Sequence, residues 1–184
     1  MPRMIPIAVL ALVALLAPGV AAASAGKSAD RECAHADAGP AAGNLDDVRA
    51  AILCLHNQVR ARHDLPLLRE NPRLRRAALG HSRAMVGEGY FEHTTPDGTT
   101  MVDRILRARY ARPNDGWTVG ENLAWGTGPL ATARSAMEGW MNSPGHRANI
   151  LRRTYRELGV GVVLGVPVSD EAGATYTVDF GVRR

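Results

Sequence analysis

Two histidines, a glutamate and a serine stand where side chains able to do chemistry meet apolar and turn-forming neighbours. They lie in Phe91-Glu92-His93, Gly120-Glu121-Asn122-Leu123-Ala124, and Ser143-Pro144-Gly145-His146-Arg147-Ala148-Asn149-Ile150-Leu151. Two neutral imidazoles and one carboxylate from three separate segments suit a zinc ion, which takes three protein ligands and leaves one position for water. The same three groups can also simply hydrogen-bond one another and hold the segments together. Ser143 and His146, three positions apart across Pro144-Gly145, raise a hydrolase reading, in which a serine needs a base within reach and a third group orienting that base. No G-x-S-x-G, S-x-x-K or H-E-x-x-H pattern supports it. Gly159-Val160-Gly161 is no dinucleotide fingerprint, because Leu164 takes the third glycine position and no helix pattern follows. Those glycines suit a strand passing close to neighbouring backbone.

The elements that must position these groups are legible in outline. Asn44 reads as an N-cap with Asp46 and Asp47 in the first turn. Leu45, Val48, Ile52, Leu55 and Val59 then recur at helical steps to about His63. Asn71-Pro72 opens a second helix whose inner stripe includes Leu74, His81 and Met85, with His81 as a satisfied core histidine. A short helix is expected at 101–109 after the Pro96-Asp97-Gly98 turn, and a strand within 117–124. A helix at 130–142 should stop at Pro144-Gly145. Strands at 158–164 and 175–180 should be joined by a loop over 167–173. Helices on either side of a small sheet make an α/β layered domain.

The amino terminus reads as an export leader. Arg3 precedes an apolar run from Ile5 to Leu16, broken only by Pro6; Pro18-Gly19 and small residues follow, predicting cleavage after Ala23 or Ala25. The run is too short to span a membrane, and no transmembrane segment is expected after processing. About 160 residues then remain, enough for one domain burying roughly 70% of its unfolded surface. Residues 24–43 lack periodicity and are expected to be loosely ordered, ahead of a domain over 44–184. Cys33 and Cys54, an even count in an oxidising compartment, predict one disulfide closing a loop of about 20 residues. Formal charge is +4, carried by arginines with Lys27 as the sole lysine. Acidic residues are interleaved throughout, which favours a solvated surface over a nucleic-acid partner.

In their order and approximate spacing, the three polar segments resemble the signature segments of the CAP superfamily, the cysteine-rich secretory, antigen 5 and pathogenesis-related-1 proteins, in its bacterial secreted branch. The resemblance implies a three-layer α–β–α sandwich over about residues 45–182. It places His93, Glu121 and His146 together in a cleft as a divalent-metal set, zinc foremost, with Ser143 and Asn122 at the rim. Asn57 and Arg60 would brace the first helix, and Asn122 and Asn149 would bind backbone groups beside the cleft. Many relatives carry a second glutamate three positions after a helix tryptophan; here Ser143 follows Trp140, and Glu138 is turned about 140° away along a helix. The expected protein is secreted or periplasmic and binds a small or lipidic ligand or a cell-envelope component. The alternatives are a metal-dependent hydrolase of peptide or envelope substrates and an interaction module working through the domain surface.

Overall fold

In the computed structural model, which describes residues 32–184, the apolar stripe at 45–59 forms helix α1, Leu45–Arg62. Asp46 and Asp47 lie in its first turn and Arg60 and Arg62 in its last, each complementing the helix dipole. Asn44 does not cap it by side chain. Its amide instead closes the preceding turn, accepting from Ala41 N–H (2.7 Å) and donating to Gly39 O (3.0 Å). Helix α2, Pro72–Glu88, follows local rules closely: Asn71 accepts from the Arg73 and Leu74 N–H groups, and Gly89 closes it in the left-handed conformation. A Thr100–Asp103 capping box opens the short α3, Met101–Arg107, and Arg109 takes a left-handed φ of 61° just beyond it.

Four strands form the sheet: β1 (Arg69–Glu70), β2 (Trp117–Thr127), β3 (Glu157–Val166) and β4 (Ser169–Arg183), in the order β1-β3-β4-β2. Among the described residues only the β1–β3 pairing is parallel. The loop expected over 167–173 is mostly strand. A bulge between Leu164 and Val166, with Gly165 at φ 98°, tightens the β3–β4 connection to Pro167-Val168, and the polar Ser169-Asp170-Glu171 belongs to an exposed strand end. The expected helix does end at Asn142, before Pro144-Gly145, but it starts at Ala133 and a further helix follows it. Helix α4, Ala133–Asn142, ends where Ser143 turns extended, and Pro144 then opens a further helix, α5, Pro144–Ile150. Proline fits the first turn of a helix because its missing N–H has no partner there.

Helices α1, α4 and α5 cover one face of the sheet, packing Val48, Ile52, Trp140 and Ile150 on Val160, Tyr176, Val178 and Phe180. Helix α2 covers the other face. There the sheet presents Gly159, Gly161, Thr175 and Thr177, and a Cβ at Gly159 or Gly161 would collide with the α2 backbone at Arg75 or Ala78. The expected close approach is thus made against α2. These layers are the expected α–β–α sandwich. Arg60, fully buried, donates to the carbonyls of Pro66, Ile150, Arg152 and Tyr155, while Asn57 exchanges hydrogen bonds with Leu68. Together they tie the end of α1 to the chain around it.

The Cys33–Cys54 disulfide is formed. Residues 32–43 hold no helix or strand, yet Cys33 and Ala36 are buried and Arg134 of α4 grips Ala36 O and the Asp37 carboxylate. The bridge and α4 therefore pin this stretch more closely than its composition suggests. The expected leader at 1–23 lies outside the described residues. Among the described residues, no helix is long and apolar enough to cross a membrane.

Candidate functional site

Glu121 enters the site from the middle of β2, where pairing with β4 on one side fixes its backbone. Its carboxylate is only 1% exposed, and both oxygens are engaged: Oε1 accepts from His93 Nδ1 and Oε2 from Arg104 Nη2, each at 2.8 Å. A carboxylate can only accept here, so His93 carries its proton on Nδ1 and leaves Nε2 available. Arg104, on α3, also donates to His93 O (3.0 Å) and Thr99 O (3.2 Å). One guanidinium therefore neutralises the buried carboxylate and holds the loop that carries His93.

The electrostatics follow from this arrangement. Burial raises the Glu121 pKa, but the His93 hydrogen bond and the Arg104 charge outweigh it, so Glu121 stays ionised below the usual carboxylate range. The hydrogen bond to Glu121 raises the His93 pKa against partial burial. His146 is shifted down, by burial and then by the charge of His93. Asp179 lies directly across from Glu121 on β4 and is fully buried. Burial and the Glu121 charge hold its carboxyl well above the ordinary range, so it stays a neutral acid beside Glu121, and among the described residues neither of its oxygens has a hydrogen-bond partner. His81 is a core histidine, as expected: its Nε2 meets Glu92 O (2.9 Å), and burial lowers its pKa to about 4.

His146 comes from α5, which two asparagines lash to β2. Asn122 Nδ2 donates to His146 O (3.1 Å), and Asn149 Nδ2 donates to Glu121 O (3.1 Å) and Asn122 Oδ1 (2.9 Å). This corrects the rim position expected of Asn122, whose side chain is fully buried behind the site. Ser143 does line the open cleft, with His146, Phe91, Leu123, Trp125 and Leu130, around a volume of about 400 Å³. Trp125 and Leu130 are 41% and 69% exposed there. Among the described residues the Ser143 hydroxyl makes no hydrogen bond, so no serine–histidine dyad is formed.

Of the expected metal set, His93 and Glu121 are in contact, and His146 is close enough to feel the His93 charge. Among the described residues, no group of three or more His, Cys, Asp or Glu side chains is arranged to hold a metal ion. With both Glu121 oxygens spent, the donors left facing outward are the two imidazoles. Arg104 and Asp179 escaped the sequence reading. Arg104 carried a usable signal, since it sits between Met101 and Ala108 at helical steps and beside Ile105, on the inner side of α3.

Comparison with known proteins agrees with the fold. Residues 53–179 match the family described as CAP: Cysteine-rich secretory protein family. The chain is 36% identical over 111 residues to "Uncharacterized membrane protein YlbC" of Bacillus subtilis (strain 168), covering 60% of this chain and 30% of that protein. It superposes on an extracellular protein containing a SCP domain from Bacillus anthracis str. Ames with a TM-score of 0.58 and 32% identity, covering 77% of this chain and 41% of that one. An outer surface protein from Borrelia burgdorferi shares the fold alone, with a TM-score of 0.59 and 20% identity over 77% of this chain and 96% of its own. The chain spans less than half the length of the two Bacillus proteins.

Proposed function

Because the chain belongs to the CAP family of cysteine-rich secretory proteins, we propose that it is exported and binds an apolar, acyl-bearing envelope ligand in the cleft beside His146. The observation that carries this reading is the cleft itself: a volume of about 400 Å³ walled by Phe91, Leu123 and Trp125, with Ser143 and His146 supplying the polar edge. Apolar walls with a few convergent polar groups are what a small-molecule site needs. The extracellular character of the Bacillus anthracis relative supports export.

A zinc or similar divalent ion would have His93 Nε2 and His146 as its protein ligands, one short of the three a zinc site usually takes, because Glu121 is spent on His93 and Arg104. It would supply a positive charge for a ligand's anionic head. Glu121 would stand behind His93, fixing its tautomer and raising its basicity. The hydrolase alternative is weaker. Glu121 is buried and doubly engaged, so it is not a free base, and among the described residues Ser143 has no partner to activate it.

Titrating the purified protein with saturated fatty acids of increasing length, read by tryptophan fluorescence, tests the proposal. Each methylene buried is worth about 0.8 kcal/mol, so affinity should rise about fourfold per methylene until the cleft is full. Replacing Trp125 with alanine and Leu130 with serine together should remove that dependence. Saturable binding with no dependence on chain length, or none at any length, refutes an acyl ligand.

A further inference from the structure

On the far edge of the sheet, β1 covers only Glu157 and Leu158 of β3. Asn71 N–H donates to Leu158 O at 2.8 Å, so the Leu158 backbone groups face this outer side. Backbone groups alternate sides along a strand, which turns those of Val160, Val162 and Leu164 the same way. No strand among the described residues covers them. The edge is set back in a groove of about 530 Å³ between α1 and α2, with Val160 and Val162 in its floor and Arg49, Arg75 and Arg83 along its rims. An open strand edge is a template for another strand unless something blocks it. Here the bulge after Leu164 ends the edge, and the rims carry charge.

That charge selects among occupants. Among the described residues Asp46 is the only acid lining the groove; it already meets Arg49 (3.0 Å) and Arg75 (3.7 Å), and Arg49 is also paired with Glu70. Arg83 makes no ion pair among the described residues. The groove is therefore cationic through Arg75 and Arg83, with an apolar floor and, toward Leu164, backbone donors and acceptors that no strand among the described residues pairs. Residues 24–31 of this chain carry Lys27 and Arg31 against Asp30, which is the wrong sign. A second copy docking edge to edge would set arginine rims against arginine rims. Val160 is 1% exposed and closes the inner end of the groove, whereas Leu164 is 41% exposed at its mouth. We propose that the open edge of β3 takes an extended acidic segment of a partner protein as a short added strand, its backbone pairing with Val162 and Leu164 and its carboxylates facing Arg75 and Arg83. This groove shares no lining residue with the His146 cleft, so either site can fail alone.

The probe is an acetylated, amidated hexapeptide of alternating glutamate and valine, titrated into the intact protein by calorimetry. It should bind saturably. Its lysine–valine counterpart should bind about tenfold or more weakly, as should one of the two alternately N-methylated forms, which lacks the N–H donors the edge requires. The double variant Arg75→Glu, Arg83→Glu should invert the preference between the glutamate and lysine peptides, with circular dichroism verifying its fold. Val162→Pro removes an outward donor at a position where an edge strand tolerates proline, and should weaken the glutamate peptide without unfolding the protein. Absence of binding up to about 1 mM peptide overturns the proposal. So does equal binding of both N-methylated forms, which would make the groove merely greasy. A concentration-dependent dimer that the peptide dissociates would instead assign the edge to a second copy, and protection of the edge by residues 24–31 would assign it to the chain itself.

Discussion

Arg104 is the side chain whose removal tests the site most sharply. It is 8% exposed and its ion-pair partner Glu121 is 1% exposed, so Arg104→Leu strands a buried carboxylate whose one remaining hydrogen-bond partner among the described residues is His93. Two unit charges about 4 Å apart are worth about 4 kcal/mol at an effective dielectric near 20. Removing one partner of a buried pair costs about 3–5 kcal/mol. The variant should therefore lose about 3–5 kcal/mol at neutral pH, read from urea unfolding with the slope held against wild type. The loss should shrink on acidification. In the wild type, Glu121 titrates below its ordinary 4.5, and its stabilising contribution is present above that value and lost as pH falls through the lower one. Without Arg104 the folded carboxyl takes up a proton at higher pH than the unfolded one, which relieves the buried charge. Adding Glu121→Gln to Arg104→Leu removes the charge outright and should recover about 2 kcal/mol or more, a clear departure from additivity. A single-variant loss below about 1 kcal/mol, or additive losses in the cycle, would refute the picture of Arg104 as the counter-charge of the site.

The sequence made α2 plain because its determinants are local. Asn71, Pro72 and Gly89 carry the cap, the first turn and the stop within their own few residues. Helix α5 stayed hidden because Pro144 fits two local rules at once: proline commonly follows one helix and commonly starts another. Only the extended backbone at Ser143 decides between them. Strand β1 was illegible for the opposite reason. Two exposed residues, Arg69 and Glu70, become a strand through their pairing with β3, a partner almost ninety positions away. The polar start of β4 misled for a related reason, since an exposed strand end and a loop share the same composition.

At the site, chemical types were legible and neighbours were not. His93 and Glu121 announced themselves as residues worth placing, and the fold brings them into contact. The helical spacing of Arg104 with Met101 and Ala108 points it inward, but an arginine there is buried only because a carboxylate from another element meets it. Asp179 hides in the alternation of β4. Tyr176, Val178 and Phe180 face one core, and the intervening Thr175, Thr177 and Asp179 look solvent-facing until α2 closes the other side of the sheet. Asn122 shows the same limit: adjacency to Glu121 in sequence puts it on the opposite face of β2, where it anchors α5.

Two further outcomes test the packing and the buried charges. At Gly161 a Cβ would strike the Ala78 backbone, whereas at Gly80, in α2, nothing lies within 4 Å. Gly161→Ala should therefore cost about 3 kcal/mol and Gly80→Ala gain about 0.5–1 kcal/mol by urea unfolding; equal effects would contradict the close helix–sheet contact. His56 supplies the pH test. Its ring is fully buried between Trp140 and Phe180, its Nδ1 meets Ile52 O, and among the described residues Nε2 has no partner. Burial, partly opposed by the Ile52 hydrogen bond, lowers its pKa from 6.5 to about 4. Between those values the unfolded chain binds a proton at this ring that the folded chain refuses, so stability must fall as pH falls. At about 1.4 kcal/mol per pKa unit, the loss reaches about 3 kcal/mol across the window. Replacing His56 with leucine lowers stability at neutral pH through lost ring packing, but it also removes the titrating group. The difference in unfolding free energy between wild type and variant should therefore narrow by about 3 kcal/mol on acidification through that window. Parallel pH profiles would mean that the buried imidazole accepts its proton without cost, and that the core around Trp140 admits charge or water.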